Sequence, residues 1–143
     1  MKKKQGSGSS GKNEFAHAFL GWGLSDSDNN WYLDLGALHH MTNRKDWLEN
    51  YAEDSVVKVS LGDDSVVQAK GSGTVRILLK VPRGVSEGIL ENVLYVLEIA
   101  KNLLSVLQAT KKGTKFTFEG EKCYMKNGSD ELVGMAMLTN DLY

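Results

Sequence analysis

The sequence predicts a mainly β domain with one short helix. Three observations support this fold class. Most apolar residues after position 31 alternate with polar ones, glycines interrupt these runs at short intervals, and one later segment repeats its apolar residues with helical spacing. Short strands joined by glycine-containing turns are typical of a small barrel or a sandwich. The chain has 143 residues, which is enough for one domain of ordinary size.

The predicted strands follow one another along most of the chain. The sequence Gly62-Asp63-Asp64-Ser65 predicts a hairpin turn, and Gly71-Ser-Gly73 predicts a break before the next strand. The segment 89–96 is a mainly apolar run and predicts a buried strand. The strands are expected at residues 31–33, 57–61, 75–81, 89–96, 115–119, 122–126 and 132–137.

The segment after residue 101 breaks the alternating pattern. Asn102 is a residue type that caps helices, and Leu103, Val106, Leu107 and Thr110 follow at i, i+3, i+4 and i+7. Two lysines and then Gly113 provide a basic last turn and a left-handed stop. The sequence therefore predicts a helix that is capped by Asn102 and ends at Gly113.

The composition excludes several functional classes. The 17 basic and 18 acidic residues give a net charge of −1, which argues against a strongly basic nucleic-acid binder. The single Cys123 excludes an internal disulfide framework, and with only three histidines to help it we expect neither a metal nor a cofactor. No apolar run approaches the roughly 20 residues of a membrane span, so no membrane partner is expected.

The first residues differ from the rest of the chain. Residues 1–12 carry four lysines and no acid among glycines and serines, a pattern typical of a flexible linker. The Lys2–Lys4 tail supports at most weak contact with nucleic acid. Residues 13–24 leave open a short strand, a loose docking segment or neither. We expect a linker over residues 1–30 and the barrel over residues 31–143.

Among the residues that can carry chemistry, Asp34 is the strongest candidate. It follows an apolar strand and precedes Gly36, so it could be a presented acid or base, although an Asp before a Gly is usually a turn. Adjacent His39 and His40 point to opposite faces of a strand and rarely chelate one ion. Cys123 lies in an alternating strand and is interpreted as a buried thiol.

A series of motifs resembles copia-type retrotransposon Pol polyproteins. The string Trp31-Tyr-Leu-Asp-Leu-Gly-Ala-Leu-His-His-Met-Thr42 is similar to the family motif Trp-Tyr-x-Asp-Ser-Gly-Ala-Ser-x-His-Met. Four segments follow in the family's order, and Asn140-Asp-Leu-Tyr143 resembles the boundary that follows the domain. The four are Leu61-Gly-Asp63, Gly71-Ser-Gly-Thr-Val75, Glu91-Asn-Val-Leu-Tyr-Val96 and Lys101-Asn-Leu-Leu-Ser-Val106.

This resemblance implies a closed retropepsin-like β-barrel that acts as an aspartic endopeptidase. In that fold each chain contributes one Asp, so activity needs a homodimer, and the substrate is the element's own polyprotein, in the cytoplasm or in its virus-like particle. Asp34 is then catalytic, in an active-site loop with Leu35, Gly36 and Ala37. The segment 57–75 resembles a substrate-covering flap with Gly62, Asp63, Asp64 and Ser65 near its tip, and Asn102, Leu103 and Leu104 resemble the segment that supports the loop.

Three positions depart from the family pattern. Leu35 replaces the Ser or Thr whose hydroxyl joins a hydrogen-bond lattice across the dimer axis. Leu38 replaces a small residue and Leu97 a common Pro. We expect the lost hydrogen bond to weaken dimerisation, which leaves a second interpretation open: a catalytically inactive β-barrel that serves as a structural or interaction module.

Overall fold

A computed structural model describes residues 19–20, 29–53, 57–61 and 64–137, and these hold twelve strands and one α-helix. The strands are β1 (Phe19–Leu20), β2 (Asn30–Asp34), β3 (Met41–Thr42), β4 (Glu49–Ala52), β5 (Lys58–Ser60), β6 (Val66–Gln68), β7 (Gly71–Val81), β8 (Gly84–Tyr95), β9 (Asn102–Ser105), β10 (Lys115–Glu119), β11 (Lys122–Lys126) and β12 (Leu132–Met137). The helix α1 spans Val106–Lys111, and a 3-10 turn spans Lys45–Trp47. The prediction of a mainly β barrel domain with one short helix is confirmed.

Six strands form a ring. Its order is β1-β2-β9-β3-β8-β7, and a further pairing between Phe19 of β1 and Leu78 of β7 joins the two ends. Both β1 and β9 run parallel to β2, which therefore lies between two parallel neighbours. Because β1 lies within residues 1–30, the ring includes part of the range predicted as linker. The domain boundary at residues 30 and 31 stays a prediction.

The long hairpin of β7 and β8 carries the rest of the sheet. One edge of β7 pairs with β8 from Gly71 to Val81, and its other edge pairs in turn with β4, β1 and β12. From β12 the sheet continues through β11 to β10 by antiparallel pairing. Strands β5 and β6 form a separate two-stranded hairpin. The apolar run predicted at 89–96 is the second half of β8, and Ile89 within it is 57% exposed rather than buried.

Gly71 and Gly73 do not form the break that the sequence predicts, because both belong to β7. A Cβ atom at Gly71 would lie 2.5 Å from the carbonyl oxygen of Ala52 and from the ring of Tyr51, and one at Gly73 would lie 2.7 Å from the carbonyl oxygen of Glu49. These glycines therefore allow β4 to approach β7 closely.

The predicted helix begins later than expected. Ser105 is the N-cap residue: its side chain accepts a hydrogen bond from the backbone N–H of Gln108, whereas Asn102 belongs to β9. The cap assigned to Asn102 is therefore wrong. The predicted end is confirmed, since α1 ends at Lys111 and Gly113 follows with φ +100°.

Two apolar clusters stabilise the fold. The larger fills the barrel and includes Trp31, which stacks on Trp47 with ring centroids 6.2 Å apart. It also contains Cys123, which is fully buried as predicted. The smaller cluster packs the β5–β6 hairpin against the chain that follows β2. No helix among the described residues has the length and apolar character that crossing a membrane requires.

Candidate functional site

Asp34 is the last residue of β2, the strand that enters the barrel core. Residues Trp31, Tyr32 and Leu33 are buried, and Asp34 is half-buried where the strand leaves the core. In the parallel pairing of β2 with β9, Asp34 lies opposite Ser105. Asp34 therefore lies at the end of an apolar strand, and its role as an acid or base stays a prediction.

The loop after Asp34 is folded around its carboxylate. The Oδ1 atom accepts hydrogen bonds from the backbone N–H groups of Gly36 at 2.8 Å and Ala37 at 3.0 Å. Because the carboxylate accepts both hydrogen bonds, it stabilises the turn that follows Asp34. Leu35 and Leu38 are 70% and 64% exposed, so a polar group and two large apolar side chains share this surface.

Ser105 ties this loop to the helix. Its hydroxyl donates to the carbonyl oxygen of Ala37 at 2.7 Å and accepts from the backbone N–H of Gln108 at 3.1 Å. The Gln108 side chain in turn donates from Nε2 to the carbonyl oxygen of Leu38 at 2.7 Å. The N-cap residue and the first turn of α1 therefore donate hydrogen bonds to two consecutive carbonyl groups of the Asp34 loop, those of Ala37 and Leu38.

His40 is a buried member of the same network. Its Nδ1 atom accepts a hydrogen bond from the backbone N–H of Ser105 at 2.9 Å. Burial, and secondarily the charge of neighbouring His39, lower the pKa of His40 from 6.5 to about 4. The ring is therefore neutral near pH 7, which suits an acceptor at Nδ1.

Asn102 and its neighbours join the strands next to the Asp34 loop. The Asn102 side chain donates to the carbonyl oxygen of Asn30 at 2.9 Å and accepts from the hydroxyl of Thr42 at 2.6 Å. Leu104 is buried in the larger core cluster, and Leu103 packs against the smaller one. The Asn102 hydrogen bonds join β2, β3 and β9, and the role of these residues in supporting the loop stays a prediction.

The β5–β6 hairpin lies near the same loop. Val59 and Val67 are opposite each other in the hairpin and pack with Ala37 in the smaller cluster. Across the turn, the N–H of Leu61 donates to the carbonyl oxygen of Ser65, and the N–H of Asp64 donates back to that of Leu61. The predicted tip residues Gly62 and Asp63 lie outside the described residues. The hairpin exists as predicted, and its role as a flap stays a prediction.

The described residues bring one candidate catalytic carboxylate to this surface. They place no other carboxylate in hydrogen-bond contact with Asp34, and they contain no group of three or more His, Cys, Asp or Glu side chains suited to a metal ion. A lone carboxylate can accept a proton or fix a turn. It cannot at the same time take a proton from water and donate one to a carbonyl oxygen.

Sequence reasoning missed the roles of Ser105, His40 and Gln108. The pattern Ser105-x-x-Gln108 matches the sequence of a capping box and would have placed the start of the helix correctly. No local signal joins His40 to Ser105, because 65 positions separate them in the sequence.

Comparison with known proteins identifies the domain. No curated protein matches the chain. A family model described as the β-barrel domain of Pol polyproteins matches residues 31–114, which run from β2 to the residue before β10 and make up more than half of the chain. The matched region contains Asp34, Ser105 and the hairpin, whereas β10, β11 and β12 lie beyond it. The chain therefore belongs to the family of Pol polyprotein β-barrel domains.

Proposed function

We propose that this domain is the aspartic endopeptidase of a copia-type retrotransposon polyprotein and acts as a homodimer. The observation that carries the proposal is the surface around Asp34, where a half-buried carboxylate at a strand end is bordered by exposed Leu35 and Leu38. Exposed apolar side chains beside a functional group are typical of surfaces that become buried on association. The sequence resemblance to retropepsin-like domains supports the same assignment.

Two copies would supply the pair of carboxylates that peptide hydrolysis needs. When two Asp34 side chains meet at the dyad, they share one proton, because two adjacent carboxylates do not both ionise. The ionised carboxylate takes a proton from water as its oxygen attacks the peptide carbonyl carbon. The protonated one donates to the carbonyl oxygen. The C–N bond then breaks as the leaving nitrogen receives a proton.

Leu35 has two opposing effects on such a dimer. Burying a fully exposed leucine contributes about 1.5–3 kcal/mol, so its 70% exposure corresponds to roughly 1–2 kcal/mol per subunit. A leucine that replaces a hydroxyl also leaves a buried partner group unsatisfied, at about 1–3 kcal/mol per subunit. Because the two ranges overlap, Leu35 weakens the dimer only where the polar loss exceeds the apolar gain.

The β5–β6 hairpin is suited to act as the substrate-covering flap. It packs against Ala37 through Val59 and Val67, so it reaches the chain that follows Asp34. Its contact with the rest of the sheet is made through apolar side chains rather than strand pairing, which suits a segment that moves when substrate enters.

A second candidate function is a catalytically inactive module of the same polyprotein. The observation that favours it is that Gly36, Ala37 and Ser105 hold the loop without any hydrogen bond from the side chain at position 35. The fold therefore does not require the hydroxyl that Leu35 replaces, and the domain can persist as a barrel after activity is lost.

Self-processing of a longer polyprotein that contains this domain tests the proposal. We expect cleavage by the wild-type chain and none by Asp34→Asn, which keeps the side-chain size but removes the carboxylate. Equal cleavage by both would remove Asp34 from the mechanism. A chain that stays monomeric in light scattering at micromolar concentration and cleaves nothing would establish the inactive module.

The variant Leu35→Ser tests the role of the lattice separately. If the lost hydroxyl limits this domain, the serine variant dimerises more tightly and cleaves faster than wild type. Leu38→Ser is the matched control, because it removes a similarly exposed leucine that lies outside the Asp34-Leu35-Gly36 motif. An equal response of both variants would show that apolar burial, and not the lattice, decides the affinity.

A further inference from the structure

A cavity of about 390 Å³ opens between α1 and the middle of β8. Its floor is apolar and belongs to the barrel core, with Ile77, Leu79, Leu104 and Met125 among the lining residues. An apolar cavity of about 150 Å³ is enough to hold benzene, and natural ligand sites begin at about 300 Å³. This cavity therefore has room for one aromatic ring with a short substituent.

One buried polar side chain lines this cavity, and one of its two ring nitrogens has no hydrogen-bond partner among the described residues. His40 is 5% exposed, and its Nδ1 atom is engaged by the backbone N–H of Ser105. A neutral imidazole that accepts at Nδ1 carries its hydrogen on Nε2. Among the described residues nothing accepts a hydrogen bond from that Nε2–H group. The Nε2 atom is not sealed from solvent, and it can donate to a ligand in the cavity that brings an acceptor.

The charges at the opening decide which acceptor suits the cavity. Lys112 donates from Nζ to Oε1 of Glu91 at 2.6 Å, so its positive charge is already paired, and Glu87 adds a further negative charge. The net charge of these three lining residues is −1, which disfavours an anionic ligand. A neutral carbonyl or ether oxygen meets no such repulsion.

We propose that this cavity binds a neutral, mainly apolar small molecule that carries one hydrogen-bond acceptor, with His40 as the donor. The site is separate from the Asp34 surface and does not depend on proteolysis. It is joined to the loop, however, because His40 contacts Ser105 and a second lining residue, Gln108, holds the carbonyl group of Leu38. A bound molecule is therefore expected to change the environment of the loop amides.

Three probes of similar size test the assigned chemistry on the full chain. Acetophenone has the ring and a neutral acceptor, ethylbenzene lacks the acceptor, and benzoate carries a negative charge. In two-dimensional NMR titrations we expect acetophenone to shift the amides of residues 87–92 and 108–114 and of the loop at 37–40. Its affinity should exceed that of ethylbenzene by about 2- to 10-fold, the effect of one net hydrogen bond, and benzoate should bind more weakly than both.

Two variants with the same substitution locate the site. Thr114 lines the cavity and is half-buried, so Thr114→Phe places a ring in the space and should lower acetophenone affinity at least 10-fold. Thr110 is exposed on α1 and does not line the cavity, so Thr110→Phe should leave affinity unchanged. Unchanged affinity in Thr114→Phe, with the fold intact by NMR, would overturn the location.

The donor is tested by His40→Asn. Asparagine can still accept from the Ser105 N–H group, but it does not extend to the position of Nε2. The preference for acetophenone over ethylbenzene should therefore fall towards one. A wild-type chain that binds the two probes equally, or binds benzoate as well as acetophenone, refutes the proposal without any variant.

Discussion

His40 couples the stability of the barrel to pH in the mildly acidic range. In the folded chain, burial holds its pKa at about 4, against 6.5 in an exposed histidine. Between these two values the unfolded chain binds a proton that the folded chain does not. The free energy of unfolding therefore falls as the pH is lowered from about 6.5 to about 4, and this contribution is complete above pH 6.5.

The size of the effect follows from the two pKa values. Each pH unit between them corresponds to about 1.36 kcal/mol, so the full loss is about 3 kcal/mol, of which about 2.5 kcal/mol is lost by pH 4.5. This is a large part of the roughly 5–15 kcal/mol that stabilises a typical domain. The neighbouring charge of His39 is the smaller cause, so burial accounts for most of the change.

Urea unfolding at several pH values measures this contribution. Buried Trp31 and Trp47 provide a fluorescence signal for unfolding. The variant His40→Asn retains an acceptor for the Ser105 N–H group but does not titrate. From pH 7 to pH 4.5, the unfolding free energy of the wild type should fall by about 2.5 kcal/mol relative to that of this variant. Carboxylates common to both chains cancel in this comparison.

A matched variant, His39→Asn, separates the two causes. It removes the neighbouring charge but leaves His40 buried, so most of the pH dependence should remain. The reasoning fails if the difference between wild type and His40→Asn is the same at pH 7 and pH 4.5. It also fails if NMR titration of the folded chain shows His40 protonating near pH 6.5.

Three further predictions concern the framework. Asn102→Ala should lower the free energy of unfolding by about 2–4 kcal/mol in urea titrations, because two buried partners lose their hydrogen bonds, and a loss below 1 kcal/mol would contradict this. Gly71→Ala should lower the free energy of unfolding by about 1–3 kcal/mol or more, because the added Cβ lies 2.5 Å from Tyr51. The control Gly128→Ala has open space around the added Cβ and should leave the melting temperature unchanged. Burial raises the pKa of the Cys123 thiol to about 11, so iodoacetamide at pH 8 should label it only as fast as the chain unfolds. Labelling of the native chain at the rate of a free thiol would show that the thiol is accessible.

The sequence was sufficient to predict those parts of the fold that depend on local patterns. Alternation located β5, β7, β10, β11 and β12, and the lysines with Gly113 located the end of α1. The start of α1 was misplaced because Asn102 is a good cap by residue type, while its partners Asn30 and Thr42 lie 72 and 60 positions away. Tertiary hydrogen bonds therefore decided the role of this residue, and no local pattern carries them.

The candidate site also has one part that a local pattern predicts and another that depends on tertiary contacts. Asp34 could be identified because an acid follows an apolar strand directly and a glycine stands two positions later. The residues that hold its loop are distant in the sequence, and β9 brings them together only when it pairs with β2. Likewise, the glycines of β7 allow the close approach of another strand, which the sequence alone does not distinguish from a turn.

The parallel pairing of β2 with β9 also imposes an order of events on synthesis of the chain. Asp34 is made early, but the serine that supports its loop is made 71 residues later, after the long β7–β8 hairpin. Joining such distant segments carries a large loop-closure cost and makes folding slow compared with local pairing. A nascent chain that has exposed Asp34 but not yet Ser105 therefore lacks the hydrogen bonds that hold the loop, so the Asp34 surface is completed only after β9 has left the ribosome.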